Sequence, residues 1–369
     1  MSLCTIKNWL QLFAAIVLTM GFCNPTSAHH SRSNFDTNTL VEFSGVISEY
    51  SWRNPHTFAT VAIENENGDP LELLFELNSV SVLMRRGWTR NTMQVGDQIT
   101  VFANPDNNSD KNLYYSNYWV LSDGSTMVSG GSVPEGMPRQ AQRQVNKSAS
   151  SKDFTGIWRS VGGRFGIGGR NSIPTSAESQ IDFGGFEFAA AGLPVTELGQ
   201  AGIDAFKIQD NPWYRCISKS PPWLYSSDVP AAHRIERDDD TLIIRTEIMD
   251  VYRVIHLGMT EHPTDTQPSH LGHAIGWFEG ETLVVDTAYF TPAKWGIGGG
   301  VSSSEQKHLV EWLTLTEGGT RIDYKYTLED PVYLTEPVTI STQLGLDVSY
   351  PFQDEYGCDP NAASRHIVQ

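Results

Sequence analysis

The chain has 369 residues, and its 43 acidic and 26 basic side chains give a formal net charge of −17. This charge argues against nucleic acid or an anionic membrane surface as a partner, because both are bound through basic faces. The composition is that of a globular protein, and the length suits two domains of ordinary size.

The amino terminus has the layout of a cleaved secretory signal. An apolar run at residues 10–22 is too short to span a bilayer comfortably, and the small residue Ala28 follows it. Cleavage after Ala28 predicts a periplasmic or secreted protein that begins at His29 and has no stable membrane anchor. Cys23 follows Phe22 rather than a small residue, which argues against a lipid anchor.

Residues 29–129 predict a small β domain. Its strand-length segments, separated by turn-forming residues, lie at residues 41–47, 57–63, 71–76, 98–103 and 114–121. Five short strands with one helix at residues 79–86 fit a small barrel of the OB type, and an open sandwich is the alternative. Residues 130–152 are rich in Gly, Pro, Gln and Ser and predict a linker.

Residues 153–369 predict a larger antiparallel β-barrel. One helix is expected at residues 196–208, and long hairpins are expected at residues 235–248, 274–287 and 309–328. With further strands at residues 251–257 and 338–348, roughly eight antiparallel strands close into a barrel with an interior cavity.

Two residues near the start of this block suggest a more particular barrel. Gly156 and Trp158 resemble the Gly-x-Trp of the first lipocalin strand, where the tryptophan closes the base of the barrel. The resemblance implies a lipocalin-like β-barrel. An ordinary strand with a core tryptophan is the alternative.

Two longer patterns resemble families of exported bacterial proteins. Residues 29–121, with HHS at residues 29–31 and WRNPH at residues 52–56, are similar to a family of small uncharacterised periplasmic proteins, which implies no established activity. The sequence GHAIGWFEGETLVVDT at residues 272–287 resembles a second group of exported proteins without a settled function. Phe278 and Glu281 stand where that group is expected to carry Arg and Asp, a conservative change at a turn.

Two cysteines remain after signal cleavage, Cys216 and Cys358. In an oxidising export compartment, two remaining thiols predict one disulfide. A catalytic thiol is the alternative, and it is disfavoured because a lone reactive cysteine is readily oxidised in that compartment.

A first candidate site is a metal site formed by His29, His30 and His56. An amino-terminal histidine offers its α-amino group and its imidazole, and a further imidazole completes the nitrogen-rich set that suits Cu(II). The alternative is that His29 and His30 only follow the cleavage site while His56 packs against Trp52.

A second candidate site is a histidine cluster within residues 256–273, formed by His256, His262, His270 and His273. Two histidines with a carboxylate are adequate ligands for zinc or iron. Equally, His262 and His273 are candidates for acid–base catalysis, with Asp286 as the orienting carboxylate. Histidines hydrogen-bonded within loops are the alternative.

Aromatic residues in the Pro- and Gly-rich loops of the second block form a third feature. In such loops a core residue is less expected and a ligand-lining residue more so, and we expect a binding surface of five aromatics, four in these loops and one in the hairpin at residues 274–287. These are Trp223, Tyr225, Trp277, Phe290 and Trp295. Packing over the barrel ends is the alternative.

These features together predict an exported enzyme. It would hold a small, largely apolar molecule in the C-terminal barrel and use histidine and carboxylate chemistry, with hydrolysis, isomerisation and elimination all compatible. A non-catalytic periplasmic module that binds a ligand or assists assembly is one alternative. A copper-binding protein that uses the mature amino terminus is another.

Overall fold

The computed structural model contains two β-barrels that follow one another along the chain. It describes residues 34–64, 68–108, 110–131, 150, 152–161, 189–222 and 232–364. The predicted signal peptide, His29, His30, Trp223 and Tyr225 lie outside these ranges, as does most of the predicted linker. Within them, no helix is both long and apolar enough to cross a membrane.

The first barrel is built from short strands with one helix between the third and the fourth. Its elements are β1 (Val41–Ser51), β2 (Phe58–Glu64), β3 (Pro70–Glu76), α1 (Val80–Arg85), β4 (Gln98–Pro105), β5 (Leu113–Val120) and β6 (Thr126–Val128). Strands β1, β2 and β3 form an antiparallel meander, β3 pairs in parallel with β5, and β5 returns through β4 to β1. This closed order is the OB connectivity and confirms the predicted small barrel.

Alternation along the strands builds the core of the first barrel. In β4, Ile99, Val101 and Ala103 are buried, whereas Thr100 and Phe102 between them are only partly covered. Such a period of two places one face of each strand inside the barrel. Helix α1 closes one end of it with Leu83, which is fully buried.

The second barrel follows after residue 152 and contains longer hairpins. Its wall strands are β7 (Gly156–Ser160), β8 (Ala232–Asp238), β9 (Thr241–Thr246), β10 (Val251–Leu257), β11 (His273–Glu279), β12 (Thr282–Ala288), β15 (His308–Thr316), β16 (Arg321–Glu329) and β17 (Val338–Leu346). Helix α2 (Glu197–Asp204), the hairpin of β13 (Ala293–Gly298) and β14 (Val301–Ser303), and the carboxy-terminal helix α3 (Pro360–Ser364) lie outside this wall. The larger β-barrel is thereby confirmed.

One strand pair differs from the expected antiparallel pattern. The described wall closes in the order β10-β11-β12-β15-β16-β17-β7-β8-β9, and β10 pairs with β11 in parallel. Parallel neighbours need a crossover, because the chain must return to the starting end before the next strand begins. Residues 258–272 form this crossover, and they pass over the outside of the wall.

The interior of the second barrel is filled by side chains. Trp158 is fully buried, and its indole N–H donates to the carbonyl oxygen of Phe154 at 2.8 Å. Arg253 and Glu311 form a buried ion pair, to which the Tyr324 hydroxyl donates a hydrogen bond. The cavity left among these described side chains has a volume of about 10 Å³, the space of about one water molecule. This one cavity, among the described residues, is too small for an organic ligand.

The carboxy-terminal segment, residues 350–364, lies between the two barrels. Cys358 forms a disulfide with Cys216, which confirms the predicted pair, and it also forms an isolated β-bridge with Asn54 of the first barrel. Ala362 and Ala363 of α3 are buried. The end of the chain therefore contacts both barrels.

Candidate functional site

The histidine cluster lies on the outer face of the second barrel wall. On β11 and β12, Ala274 and Val285 belong to the barrel core. Their neighbours His273 and Asp286 therefore point outward, because successive side chains of a strand alternate between the two faces. Residue 275 of β11 pairs with residue 286 of β12, which sets the two site residues on adjacent strands of one surface.

A continuous chain of hydrogen bonds joins four of the side chains. His273 Nδ1 lies 2.8 Å from His262 Nδ1, and His262 Nε2 lies 2.8 Å from Asp286 Oδ1. The second carboxylate oxygen, Asp286 Oδ2, lies 2.8 Å from His308 Nε2. The structure thus brings together all three residues that the sequence analysis named as catalytic candidates, and it adds His308 as a fourth.

The direction of each hydrogen bond in the cluster follows from which atoms can donate and which can only accept. An ionised carboxylate only accepts, so both His262 and His308 donate an Nε2–H to Asp286. Neutral His262 then carries its lone pair on Nδ1 and accepts the Nδ1–H of His273. Neutral His273 consequently has its lone pair on Nε2, at the end of the chain.

The surroundings give the members different protonation preferences. Burial, together with the neighbouring His262 and His256, lowers the pKa of His273 below its ordinary value. The hydrogen bond to Asp286 raises the pKa of His308. Burial acts to raise the pKa of Asp286, but hydrogen bonds from His308 and His262 outweigh it and hold that pKa below the usual value. A neutral His273 thus coexists with an ionised Asp286 and a readily protonated His308.

Ring contacts hold the imidazoles in this arrangement. The His256 ring stacks on His273 with centroids 5.0 Å apart and planes at 16°. Tyr289 meets His262 edge-on at 5.5 Å, and its backbone has a φ of 59°. A positive φ is uncommon for a tyrosine, and such backbone conformations concentrate at functional sites.

The cluster is half-buried rather than enclosed. The exposed side-chain fractions of His262, Asp286 and His308 are 14%, 21% and 35%. A reactant can therefore reach it from solvent along the outer wall. Among the described residues, no group of three or more histidine, cysteine or carboxylate side chains is arranged to hold a metal ion, so the zinc or iron interpretation of this cluster lacks geometric support.

Three of the predicted site residues have other roles. His270 Nε2 lies 2.7 Å from the carbonyl oxygen of Ser218 and does not join the chain of hydrogen bonds. Phe290 and Trp295 are only 1% and 5% exposed, so they do not line an open surface. Trp295 instead stacks on Phe206, with ring centroids 4.8 Å apart. The burial of these two aromatics is what the packing alternative expects.

Trp277 is the predicted aromatic that shares a strand face with the cluster, roughly 13 Å along β11 from His273. It lies on the same face of β11 as His273 because the two positions differ by an even number of residues. It is partly exposed, and its indole N–H donates to Glu279 at 3.0 Å. Trp223 and Tyr225 fall outside the described residues.

His308 was missed because it lies far along the sequence from the histidine cluster. Strand β15 pairs with β12, and residue 286 faces residue 310. His308 is the first residue of β15, so this pairing places its ring beside Asp286. Only the order of neighbouring strands, in which β15 lies beside β12, indicates that His308 is close to Asp286.

The first barrel has a separate histidine–carboxylate contact. His56 Nδ1 lies 2.7 Å from Glu76 Oε1, and Glu76 is fully buried in β3. His29 and His30, the other predicted metal ligands, lie outside the described residues.

The fold and these contacts define the class: a mostly β protein of two barrels with a histidine–aspartate chain on the outer wall of the second. Residues 17–113 match the model of a family of unknown function (DUF6152), in agreement with the resemblance of the first block. No curated protein matches the chain. One similar solved structure is a single-residue mutant of the fluorescent protein UnaG, at 11% identity and a TM-score of 0.21, covering 52% of this chain and 95% of that one.

Proposed function

We propose that the second barrel carries an acid–base centre that acts on a small molecule bound against its outer wall. The observation that supports this proposal is the continuous chain from His273 through His262 and Asp286 to His308. A histidine that only stabilises a loop is satisfied by one or two hydrogen bonds, whereas here four side chains are joined in series. The reacting molecule is expected to be largely apolar and to lie near Trp277.

The proposed chemistry begins with proton transfer to His273. Its Nε2 takes a proton from the reactant or from a water molecule, and the Nδ1 proton of His273 shifts toward His262 Nδ1. The carboxylate of Asp286 stabilises the positive charge that develops on the imidazole pair, while His308 helps to keep that carboxylate ionised. Hydrolysis, isomerisation and elimination all share such a step, and the proton returns to the product or leaving group.

The test is turnover of a native compound. The protein is incubated with a metabolite extract of the cells that make it, and mass spectrometry follows which compounds disappear and appear. H273Q and D286N should each lose at least about a hundredfold in rate, as expected when a general base or its orienting group is removed. H270Q is the matched control, because His270 lies outside the chain of hydrogen bonds.

Two outcomes would contradict this proposal. Unchanged turnover in H273Q would exclude His273 as the base. Recovery of a bound compound in unaltered form, with no conversion, would instead favour the non-catalytic binding or assembly module.

The contact between His56 and buried Glu76 supports a second function, copper binding through the mature amino terminus. A carboxylate on one ring nitrogen is the arrangement that orients a metal-binding imidazole to ligate through its other nitrogen. With His29 first in the mature chain, its amino and imidazole nitrogens, together with His30 or His56, would bind Cu(II) more tightly than Zn(II).

The copper test compares the mature protein with a version that carries one extra alanine before His29. The extension should abolish tight binding, and E76Q should weaken it by about ten- to a hundredfold. Affinity should also fall at acid pH, since the ligands must lose protons. Equal affinity in the mature and extended proteins would remove this function.

A further inference from the structure

The WRNPH sequence at residues 52–56 contains a fully buried asparagine that neither proposed site uses. Asn54 has no exposed surface, and it lies in the loop between β1 and β2. Its Oδ1 accepts the backbone N–H of Val80 at the start of α1, at 3.1 Å. The rest of its hydrogen-bonding capacity is directed at the carboxy-terminal segment.

The contacts of Asn54 with that segment are mainly to backbone atoms. Its Nδ2 donates to the carbonyl oxygen of Tyr356 at 2.8 Å and to Gln353 Oε1 at 3.3 Å. The backbone N–H of Asp359 donates to the carbonyl oxygen of Asn54 at 3.1 Å, and Asn54 and Cys358 form a parallel bridge. Within residues 353–359 Cys358 alone forms a β-bridge, and Gly357 has a φ of 59°. Single backbone hydrogen bonds, not an added strand, therefore make this contact.

The second barrel contacts the same segment. The backbone N–H groups of Gln353 and Tyr356 donate to the carboxylates of Glu247 and Asp250, at 2.8 and 2.6 Å. The disulfide adds a covalent anchor between Cys358 and Cys216. The segment is thus fixed to the second barrel and also hydrogen-bonded to the first.

We propose that the first barrel binds the chain's own carboxy-terminal segment, residues 353–359, as an intramolecular peptide ligand. Asn54 forms hydrogen bonds with the backbone of that segment. Gln353 contacts the first barrel a second time through its Nε2, which lies 3.2 Å from Met84 Sδ. The segment therefore holds the two barrels together independently of the linker, and a free peptide of the same sequence competes for the contact with Asn54.

The experiment uses the full chain with a specific protease site placed within residues 133–149. After cleavage without reductant, the two fragments should co-elute in gel filtration at micromolar concentration. A synthetic peptide of residues 350–361, with Cys358→Ser, should separate them when added in excess. Separation of the cleaved, unmodified fragments, or failure of a hundredfold excess of peptide to displace them, would overturn the proposal.

Two variants locate the interaction at Asn54. N54A should weaken fragment association by at least about tenfold, because it removes buried hydrogen bonds to the segment. N108A is the matched control, since Asn108 lies in an exposed turn of the same barrel, and it should change nothing. Thermal unfolding of the cleaved N54A protein checks that its first barrel still folds; a folded N54A barrel that binds as tightly as the unmodified one would contradict the assignment.

Discussion

At the scale of single residues, the surroundings of each histidine in the cluster set the direction in which its pKa is shifted. Asp286 lies between two imidazoles. On one side it is hydrogen-bonded to His308 and raises the pKa of that histidine. On the other side, His262 separates it from His273, whose pKa is lowered by burial and by neighbouring histidines. The same side-chain type therefore favours the neutral form at His273 and the protonated form at His308.

Asp286→Asn should lower the pKa of His308 toward its ordinary value. In the native protein the pKa of His308 is raised. The contact with Asp286 therefore contributes its full share to the free energy of unfolding below the pKa of His308 in the unfolded chain, and this share is lost as pH rises through the pKa in the folded protein. The variant should lose on the order of 1 kcal/mol near pH 6 and less near pH 9, because the pair is partly exposed. Imidazole NMR titration and urea unfolding measure the two effects; a His308 titration identical to that of the native protein would contradict the pairing.

A histidine inside the second barrel should control part of the acid stability. Burial lowers the pKa of His233 from 6.5 to about 4, and its Nδ1 lies 2.8 Å from Thr246 Oγ1. A lowered folded pKa means that the unfolded chain binds the proton first, so stability falls as pH drops from about 6.5 to about 4. The loss attributed to His233 is about 3 kcal/mol over this range. H233N should flatten that part of the curve in urea unfolding between pH 7 and 4; an unchanged slope would show that other groups are responsible.

At the scale of elements, the second barrel is closed around a buried polar contact. Arg253 on β10 reaches across the interior to Glu311 on β15, and it also donates to Thr287 of β12 at 2.8 Å. Three strands of the wall are therefore tied through their inward faces. Such an ion pair costs desolvation energy, but each charge depends on the other once both are buried.

Glu311→Leu should destabilise the protein by about 3–5 kcal/mol, because it leaves the buried Arg253 charge without its carboxylate. The double variant R253M/E311L should recover most of that loss, since it replaces both charges by apolar groups of similar volume. Urea unfolding of the two variants and the native protein makes the comparison. A double variant as unstable as E311L alone would show that the polar contact is needed for closure of the barrel itself.

At the scale of the whole molecule, one covalent bond fixes the carboxy-terminal segment to the second barrel. The cysteines are 142 positions apart in sequence, and their Cα atoms are 5.9 Å apart. A bridge that closes so long a loop restricts the unfolded chain strongly.

The double variant C216S/C358S should therefore lose up to about 4–5 kcal/mol of stability, a figure from the chain-entropy model. Serine at both positions avoids a free thiol, and urea unfolding without reductant gives the value. Mass spectrometry of the native protein should find no free thiol at Cys216 or Cys358. Two free thiols would refute the bond directly.

Limited proteolysis should cut the chain first within residues 130–152. The composition of this segment, rich in Gly, Pro, Gln and Ser, offers few apolar side chains for packing, whereas the strands on either side are tied into barrels. Two fragments that resist further digestion are expected, and sequencing of the fragments locates the cut. Initial cleavage within either set of wall strands would contradict the division into two units.

Local residue patterns were enough to predict the strands and the disulfide of this protein. Alternating apolar residues and turn formers predict the strands, and the count of mature cysteines predicts the disulfide. The tight turn between residues 279 and 282 also sets the hairpin register, which places His273 and Asp286 on one face because side chains alternate with a period of two. The sequence could not tell whether that face looks into the barrel or out of it.

The position of the site and the residues that complete it depend on the tertiary structure. The parallel pairing of β10 with β11 sends the crossover that bears His262 over the outer wall, and the pairing of β12 with β15 brings His308 to Asp286. Large side chains and the pair of Arg253 and Glu311 fill the expected cavity. These outcomes depend on contacts between residues distant in sequence, and the choice of neighbouring strands is made by packing of the whole barrel rather than by local residue patterns.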